Sequence, residues 1–348
     1  MKPGERFKQI MARPDRVSYA LMAVLFVMMV WLHLTNLLLE VLFSFLALNL
    51  LHWRGRNGRW FAIAFFLVLV SAVGFVLTTF IAHTLHTLPE IAEKAIPSVL
   101  HWAKDYRVDL PFTDYDSLRE FALATVKHQL RNVASFAHFA REAGLQALFL
   151  VAGIVVSISI FLNSRFELGR EPQVPENNFY SVVGQQLAVR FRTLYESFAT
   201  VMGAQIIISA INTVFTGIFV VAIGLPYAPL VVGVTFLCGL LPVIGNLISN
   251  TIIVGIGFTV SPQMAFFALA FLVAIHKLEY FLNSKIIGQR IRNPLWLTLL
   301  GLIVGEKLMG IPGIIIAPVL LNYIKLEASR LVAAPAPLEE VSAADNVP

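Results

Sequence analysis

The tightest constraint in this sequence is a succession of apolar stretches near the length needed to cross lipid. They cover roughly 17–34, 37–53, 60–82, 145–162, 203–223, 229–260, 264–283 and 295–324. Crossing the hydrocarbon of a bilayer takes about 20 apolar residues at a rise of about 1.5 Å each. In lipid the backbone has no water to bond, so spanning segments satisfy their own amides as helices. Composition agrees: of 348 residues only 14% are charged, and mean hydropathy is +0.76. A water-soluble domain carries about 25% charged residues. The pattern predicts an all-α, polytopic integral membrane protein with about eight membrane segments, one or two of them broken or re-entrant helical hairpins. Its first partner is therefore the lipid bilayer. The net charge of +5 is not gathered into one basic patch, so nucleic acid is not an expected partner. The lone Cys238 excludes an intrachain disulfide. The first stretch is too long for a signal-peptide core and lacks a convincing A-x-A site.

Lys and Arg set the expected orientation. They cluster before the first stretch (Lys2, Arg6, Lys8, Arg13, Arg16), between the second and third (Arg54, Arg56, Arg59), and after the fourth, seventh and last. The short linkers near 224–228 and 259–263 contain none. This places both termini in the cytoplasm. The expected organisation is a cytoplasmic N-terminus (1–16), three spans (17–82), an outer extramembrane segment (83–142), a fourth span (143–162), a cytoplasmic amphipathic segment (163–202), a C-terminal core with broken helices (203–324), and a partly disordered cytoplasmic tail (325–348). Within the outer segment, Ser117-x-x-Glu120 is a capping-box pattern, and Leu118, Phe121, Val126, Leu130 and Val133 lie broadly on one helical side. Asn178 to Ser197 reads as a second amphipathic helix leading into the span at 203.

Two stretches carry breaks: Gly239-Leu-Leu-Pro242-Val-Ile-Gly245-Asn246, and Gly305-Glu306-Lys307-Leu-Met-Gly310-Ile-Pro312-Gly313. Proline removes a helical hydrogen bond and glycine loosens the backbone, so each break frees polar groups that need protein or water around them. Interrupted helices of this kind coordinate ions or polar solutes in transporters. For the last stretch a hairpin is expected, because a full crossing would put Lys325 and Arg330 outside.

An ionisable side chain at mid-bilayer costs about 2.5–3.5 kcal/mol on insertion scales, so each one demands a reason. Glu40 reads as an interfacial carboxylate near the first turn, and Lys277 as a structural residue that snorkels. His276, Glu279 and Asn283 follow i, i+3, i+7 spacing on one helix face. A carboxylate there can bind a cation, exchange a proton, or pair with a neighbouring helix to fasten the bundle. Glu306 and Lys307 sit at the presumed hairpin tip, where water can reach them. The transport-path candidates are therefore Glu279, His276, Asn283, Pro242, Gly245, Asn246, Glu306, Lys307, Gly310, Pro312 and Gly313. No phosphate-binding Gly-x-x-x-x-Gly-Lys-Ser/Thr loop, no His-Glu-x-x-His, no Gly-x-Ser-x-Gly and no paired-cysteine motif occurs. An enzyme, a metal site and a cofactor are accordingly not expected.

The run Leu240-Leu-Pro242-Val-Ile-Gly245, Glu279 ahead of Lys285-Ile-Ile-Gly288, Asn293-Pro294-Leu, and Gly310-Ile-Pro312-Gly313-Ile-Ile-Ile-Ala317-Pro318 together resemble the AI-2E (autoinducer-2 exporter-like) transporter family. The resemblance implies a multi-span protein of the bacterial inner membrane that forms homo-oligomers. It implies export of the furanone signal autoinducer-2 in some members and sodium/proton antiport in others. Three positions depart from the family pattern: His276 replaces a usual Gln, Ser284 a frequent Pro, and Glu306-Lys307 a small neutral pair. The expected function is secondary export of a small polar metabolite such as autoinducer-2. The alternatives are a cation/proton antiporter and, in another class, a non-transporting membrane scaffold.

Overall fold

The computed structural model describes residues 14–52, 58–108, 116–117, 136–163, 179–241, 244–286 and 294–330. Among these the chain forms ten helices and no strand. In order they are α1 (Pro14–Trp31), α2 (Thr35–Leu51), α3 (Gly58–Asp105), α4 (Phe136–Asn163), α5 (Phe179–Ala222), α6 (Ala228–Gly239), α7 (Ile244–Val260), α8 (Pro262–Ile286), α9 (Leu295–Met309) and α10 (Ile311–Ser329). Six helices are long and apolar enough to cross a membrane: α1, α3, α5 and α10, with α4 from Gly144 and α8 up to Glu279. The shorter apolar helices α2, α6 and α7 pack among them. The molecule is a polytopic helical membrane protein, as its hydropathy predicts.

Two expected boundaries disappear inside longer helices. The helix of the third span does not stop near residue 82: α3 runs for 48 residues to Asp105, through Pro89 and Pro97. At 1.5 Å per residue that is about 70 Å, more than twice the hydrocarbon thickness. The amphipathic helix expected before the span at 203 and that span are one helix, the 44-residue α5. Its buried positions explain the continuity. Arg190, Leu194, Ser197, Phe198, Val201, Met202, Ile208, Ser209, Asn212, Thr216 and Val220 recur at three- and four-residue steps, one stripe from end to end. The capping-box segment after Ser117, Pro242, the side chain of Asn283 and the tail beyond 330 lie outside the described residues.

Two hydrophobic clusters are strung along α5. Its first half packs with α1, α2 and α10 around Leu42, Leu194, Phe198, Met202 and Ile316. Its second half packs with α6, α7 and α8 around Val220, Val231, Ile253, Ile256 and Ala268, where α3 adds Ile91. A third cluster joins α2, α3 and α4 through Leu48, Phe66 and Phe161.

Both predicted breaks are turns between antiparallel helices. In the first, α6 has only 12 residues, about 18 Å, too few to cross. α6 ends at Gly239 and α7 begins at Ile244, and Gly245 lies against the Cys238 carbonyl, leaving no room for a Cβ. In the second, Gly310 turns α9 into α10 at φ 66°, ψ −148°, backbone that only glycine adopts without strain. Gly305 and Gly313 then face each other so closely that a Cβ on either meets the other's backbone, and Gly301 meets Leu321 farther down. The residue sums of these contacts stay nearly constant, the signature of an antiparallel pair. The 295–324 stretch is therefore a helical hairpin.

Candidate functional site

The α6 break works because α5 supplies what it leaves open. The last four carbonyls of a helix have no partner within it. Gln205 Nε2 donates to the Gly239 carbonyl at 2.6 Å, and Ser209 Oγ donates to the Phe236 carbonyl at 2.7 Å. Gly239 lets Ser209 approach, since an added Cβ there would lie 2.5 Å from its hydroxyl. Polar residues of one helix thus replace the water that the interrupted helix lacks.

Beside this break, α5, α6, α7 and α8 enclose a small cavity of about 20 Å³, room for one water-sized occupant. Its walls carry Asn212 and Thr216 from α5, Thr235 from α6, Asn246, Ser249 and Asn250 from α7, and His276 and Glu279 from α8. Ile253, Leu272 and Ile275 complete it. The polar side is deep: Asn212, Thr216 and Ser249 are buried, and the Glu279 side chain is 13% exposed. Asn246 Nδ2 donates to Glu279 Oε2 at 2.7 Å, holding the carboxylate across the α7–α8 interface. His276 Nδ1 stands 3.9 Å from the same oxygen, while its ring is 72% exposed. Asn212 Oδ1 is buried and accepts no hydrogen bond. A carboxylate, amides, three hydroxyls and an imidazole around a water-sized space make a polar, oxygen-rich lining, suited to a proton, a small cation or a hydroxylated solute.

The structure thus brings together Glu279, His276 and Asn246 from among the sequence candidates. Gly245 sits one residue away, at the α6–α7 turn. The other candidates are elsewhere. Glu306 and Lys307 lie near the α9–α10 turn, their charged atoms 3.6 Å apart and their side chains 47% and 78% exposed. Gly310 and Gly313 shape that turn, and Pro312 lines a separate, wider cavity of about 580 Å³ with Met309, the α1–α2 turn and the start of α4. Sequence reading passed over Asn212, Thr216, Thr235 and Ser249, four small polar residues in apolar helices. Their only signal was their presence on the faces that the breaks turn inward.

A second polar centre went unrecognised too. By sequence Arg190 is one of the basic residues that follow the fourth stretch. It is buried, and its guanidinium donates to Glu327 Oε2 at 2.8 Å, to Ser18 Oγ at 2.8 Å and to the Asp15 carbonyl at 3.4 Å. It also lies 3.4 Å from the centre of the Tyr19 ring, whose hydroxyl donates to Glu327 at 3.0 Å. Arg330 completes the cluster, donating to Glu327 Oε1 and to Thr193. The described ends of the chain, α1 and α10, are therefore clamped to α5 at one place.

A membrane-embedded helical bundle with interrupted helices around a buried polar cavity is built as a transporter. The chain belongs to the AI-2E transporter family: the family model described as AI-2E family transporter matches residues 17–328. It is also 33% identical over 125 residues to "Putative transport protein YdbI" of Bacillus subtilis (strain 168), a match covering 34% of this chain and 35% of that protein. The alignment thus spans about a third of the length of that relative. No solved structure matches the chain.

Proposed function

We propose that the chain is a secondary transporter of the bacterial cytoplasmic membrane that exports a small polar metabolite such as autoinducer-2, with the α5–α8 cavity as the polar point on its route. The observation that carries this reading is the Glu279 carboxylate, held by Asn246 and facing buried hydroxyls inside a bundle whose outside is apolar. A carboxylate among apolar helices is costly, so its presence there points to a functional role. Both termini face the cytoplasm in this reading, supported by the distribution of Lys and Arg. The protein works as a homo-oligomer in this reading, and the exposed middle of α3, at Gly74, Phe75 and Val76, is one face open to lipid or to a second copy. A second reading, cation/proton antiport, is favoured by one specific feature: the cavity has room for a single water-sized occupant beside the Glu279 carboxyl.

Reconstituted liposomes test both readings. Wild-type protein is expected to move a small hydroxylated solute, or to exchange sodium for protons, above empty vesicles. Ser249→Leu fills the cavity from α7, so it is expected to cut that flux at least about tenfold while the purified protein stays monodisperse. Wild-type flux through the filled cavity rules out this route.

A further inference from the structure

The transport reading leaves one half-buried acid, Glu40, without a role. Glu40 lies on α2, five residues past its start at Thr35, about 7–8 Å along the helix from the α1–α2 turn. The sequence suggested an interfacial carboxylate free to reach water. In the structure its side chain packs on one side against Gly153 of α4, where an added Cβ would stand 2.7 Å from Glu40 Cβ and 3.3 Å from Oε2. Oε2 is enclosed and accepts no hydrogen bond. Glycine at 153 is what lets the carboxyl lie flat against the neighbouring backbone.

The surroundings fit a proton and little else. On the side of the turn, Asn36 Nδ2 donates to Gln146 Oε1 at 3.0 Å, across the same α2–α4 interface. Asn36 and Glu40 are four apart on α2, and Gln146 and Gly153 are seven apart on α4, so the amide pair and the carboxyl follow one another along one seam. Asn36 and Gln146 also line the cavity of about 580 Å³ described above. On the opposite side, Ser157 Oγ donates to the Val41 carbonyl at 2.9 Å, closing the seam. Among the described residues no cation pairs with Glu40. The titratable groups on the elements packed around it have other places. His33 and Arg141 line the cavity. Tyr195 of α5 accepts from Asn49, near the far end of α2. Arg59 of α3 donates to the Leu162 carbonyl. Tyr323 and Glu327 of α10 belong to the first cluster and the Arg190 centre. With Oε2 enclosed and given neither a donor nor a cation, the surroundings favour the neutral carboxyl over the charged one.

We propose that Glu40 is a reversible proton-binding site, at the foot of the cavity beside the α1–α2 turn and separate from the α5–α8 cavity. It binds one proton as a neutral carboxyl and releases it when water reaches the seam. The site stands on its own geometry and does not depend on what the α5–α8 cavity transports.

Dicyclohexylcarbodiimide, which reacts with neutral carboxyls in apolar surroundings, is the probe. The carboxyl proton passes to a carbodiimide nitrogen and the carboxyl oxygen adds to the central carbon. The adduct rearranges to a stable N-acylurea, and no atom leaves. With purified full-length protein in lipid nanodiscs, peptide mass spectrometry is expected to find Glu40 modified, several-fold more in mildly acidic than in mildly alkaline buffer. In a pH jump followed by a soluble dye, Glu40→Gln is expected to release about one proton fewer per chain than wild type, and Glu40→Asp to restore it. An unmodified Glu40 in acid buffer, or equal proton release from wild type and Glu40→Gln, overturns the assignment. The labelling uses the unaltered chain, so it decides even if Glu40→Gln does not fold. A labelled Glu40 in protein that moves no solute or ion leaves the proton site standing and removes the transport reading.

Discussion

Glu327→Ala is expected to be the most destabilising single change in the described chain, costing about 3–5 kcal/mol. The Arg190 and Glu327 side chains are each 6% exposed. Removing the carboxylate leaves the Arg190 guanidinium buried against Tyr19 with no counter-charge, and strands the Tyr19 hydroxyl and one bond of Arg330. The penalty is that of an uncompensated buried charge, not merely a lost contact. Because α1, α5 and α10 all meet there, thermal unfolding in detergent should begin at a markedly lower temperature and monodispersity should be lost. The double variant Arg190→Leu/Glu327→Leu removes both charges and restores apolar volume, so it should be more stable than either single variant. A double variant that unfolds as readily as Glu327→Ala means that geometry, not charge balance, holds the clamp.

Glu279→Gln should remove transport while leaving the fold in place. The amide is nearly the size of the carboxylate, and its carbonyl can still accept from Asn246, the 2.7 Å bond that ties α7 to α8. What is lost is the acidic group: one acceptor oxygen gives way to an amide NH2, and the side chain can no longer ionise. If the cavity binds a cation or exchanges a proton, the exchange measured in proteoliposomes falls by more than about tenfold, a change of more than about 1.4 kcal/mol at the barrier. Export of a neutral hydroxylated solute depends less on that charge, so its survival in Glu279→Gln points to the metabolite reading. Cation–proton exchange at the wild-type rate in this variant removes Glu279 from the route.

Much of this architecture is readable from hydropathy and from two interrupted stretches, because lipid imposes a simple length rule on each helix. The hairpin reading of 295–324 needed only Gly310, Pro312, Gly313 and the parity of Lys325 and Arg330. The i, i+3 spacing of His276 and Glu279 likewise put both on one cavity wall. What the sequence concealed depends on pairing between helices far apart along the chain. Gln205 and Ser209 look like ordinary polar substitutions until the carbonyls of α6 are seen to end beside them. Arg190 resembles any cytoplasmic basic residue, and its partner Glu327 is 137 positions away. The contact at Glu40 is hidden for the same reason, since the residue that covers its Oε2, Gly153, has no side chain to announce it.

Silver-ion accessibility along α7 tests most directly whether the cavity is wetted inside a lipid-covered bundle. In a Cys238→Ser background, cysteine placed at Ser249 faces the cavity. Cysteine at Leu247, which is 70% exposed on the bare protein, faces what should be lipid. A thiol reacts as thiolate, which hydrocarbon suppresses and water permits. In proteoliposomes the Ser249→Cys protein should react quickly and lose its flux, while Leu247→Cys should stay unreactive. Fast reaction at 247 with none at 249 would mean that water covers the outside of these helices and not their interior, and the account would fail.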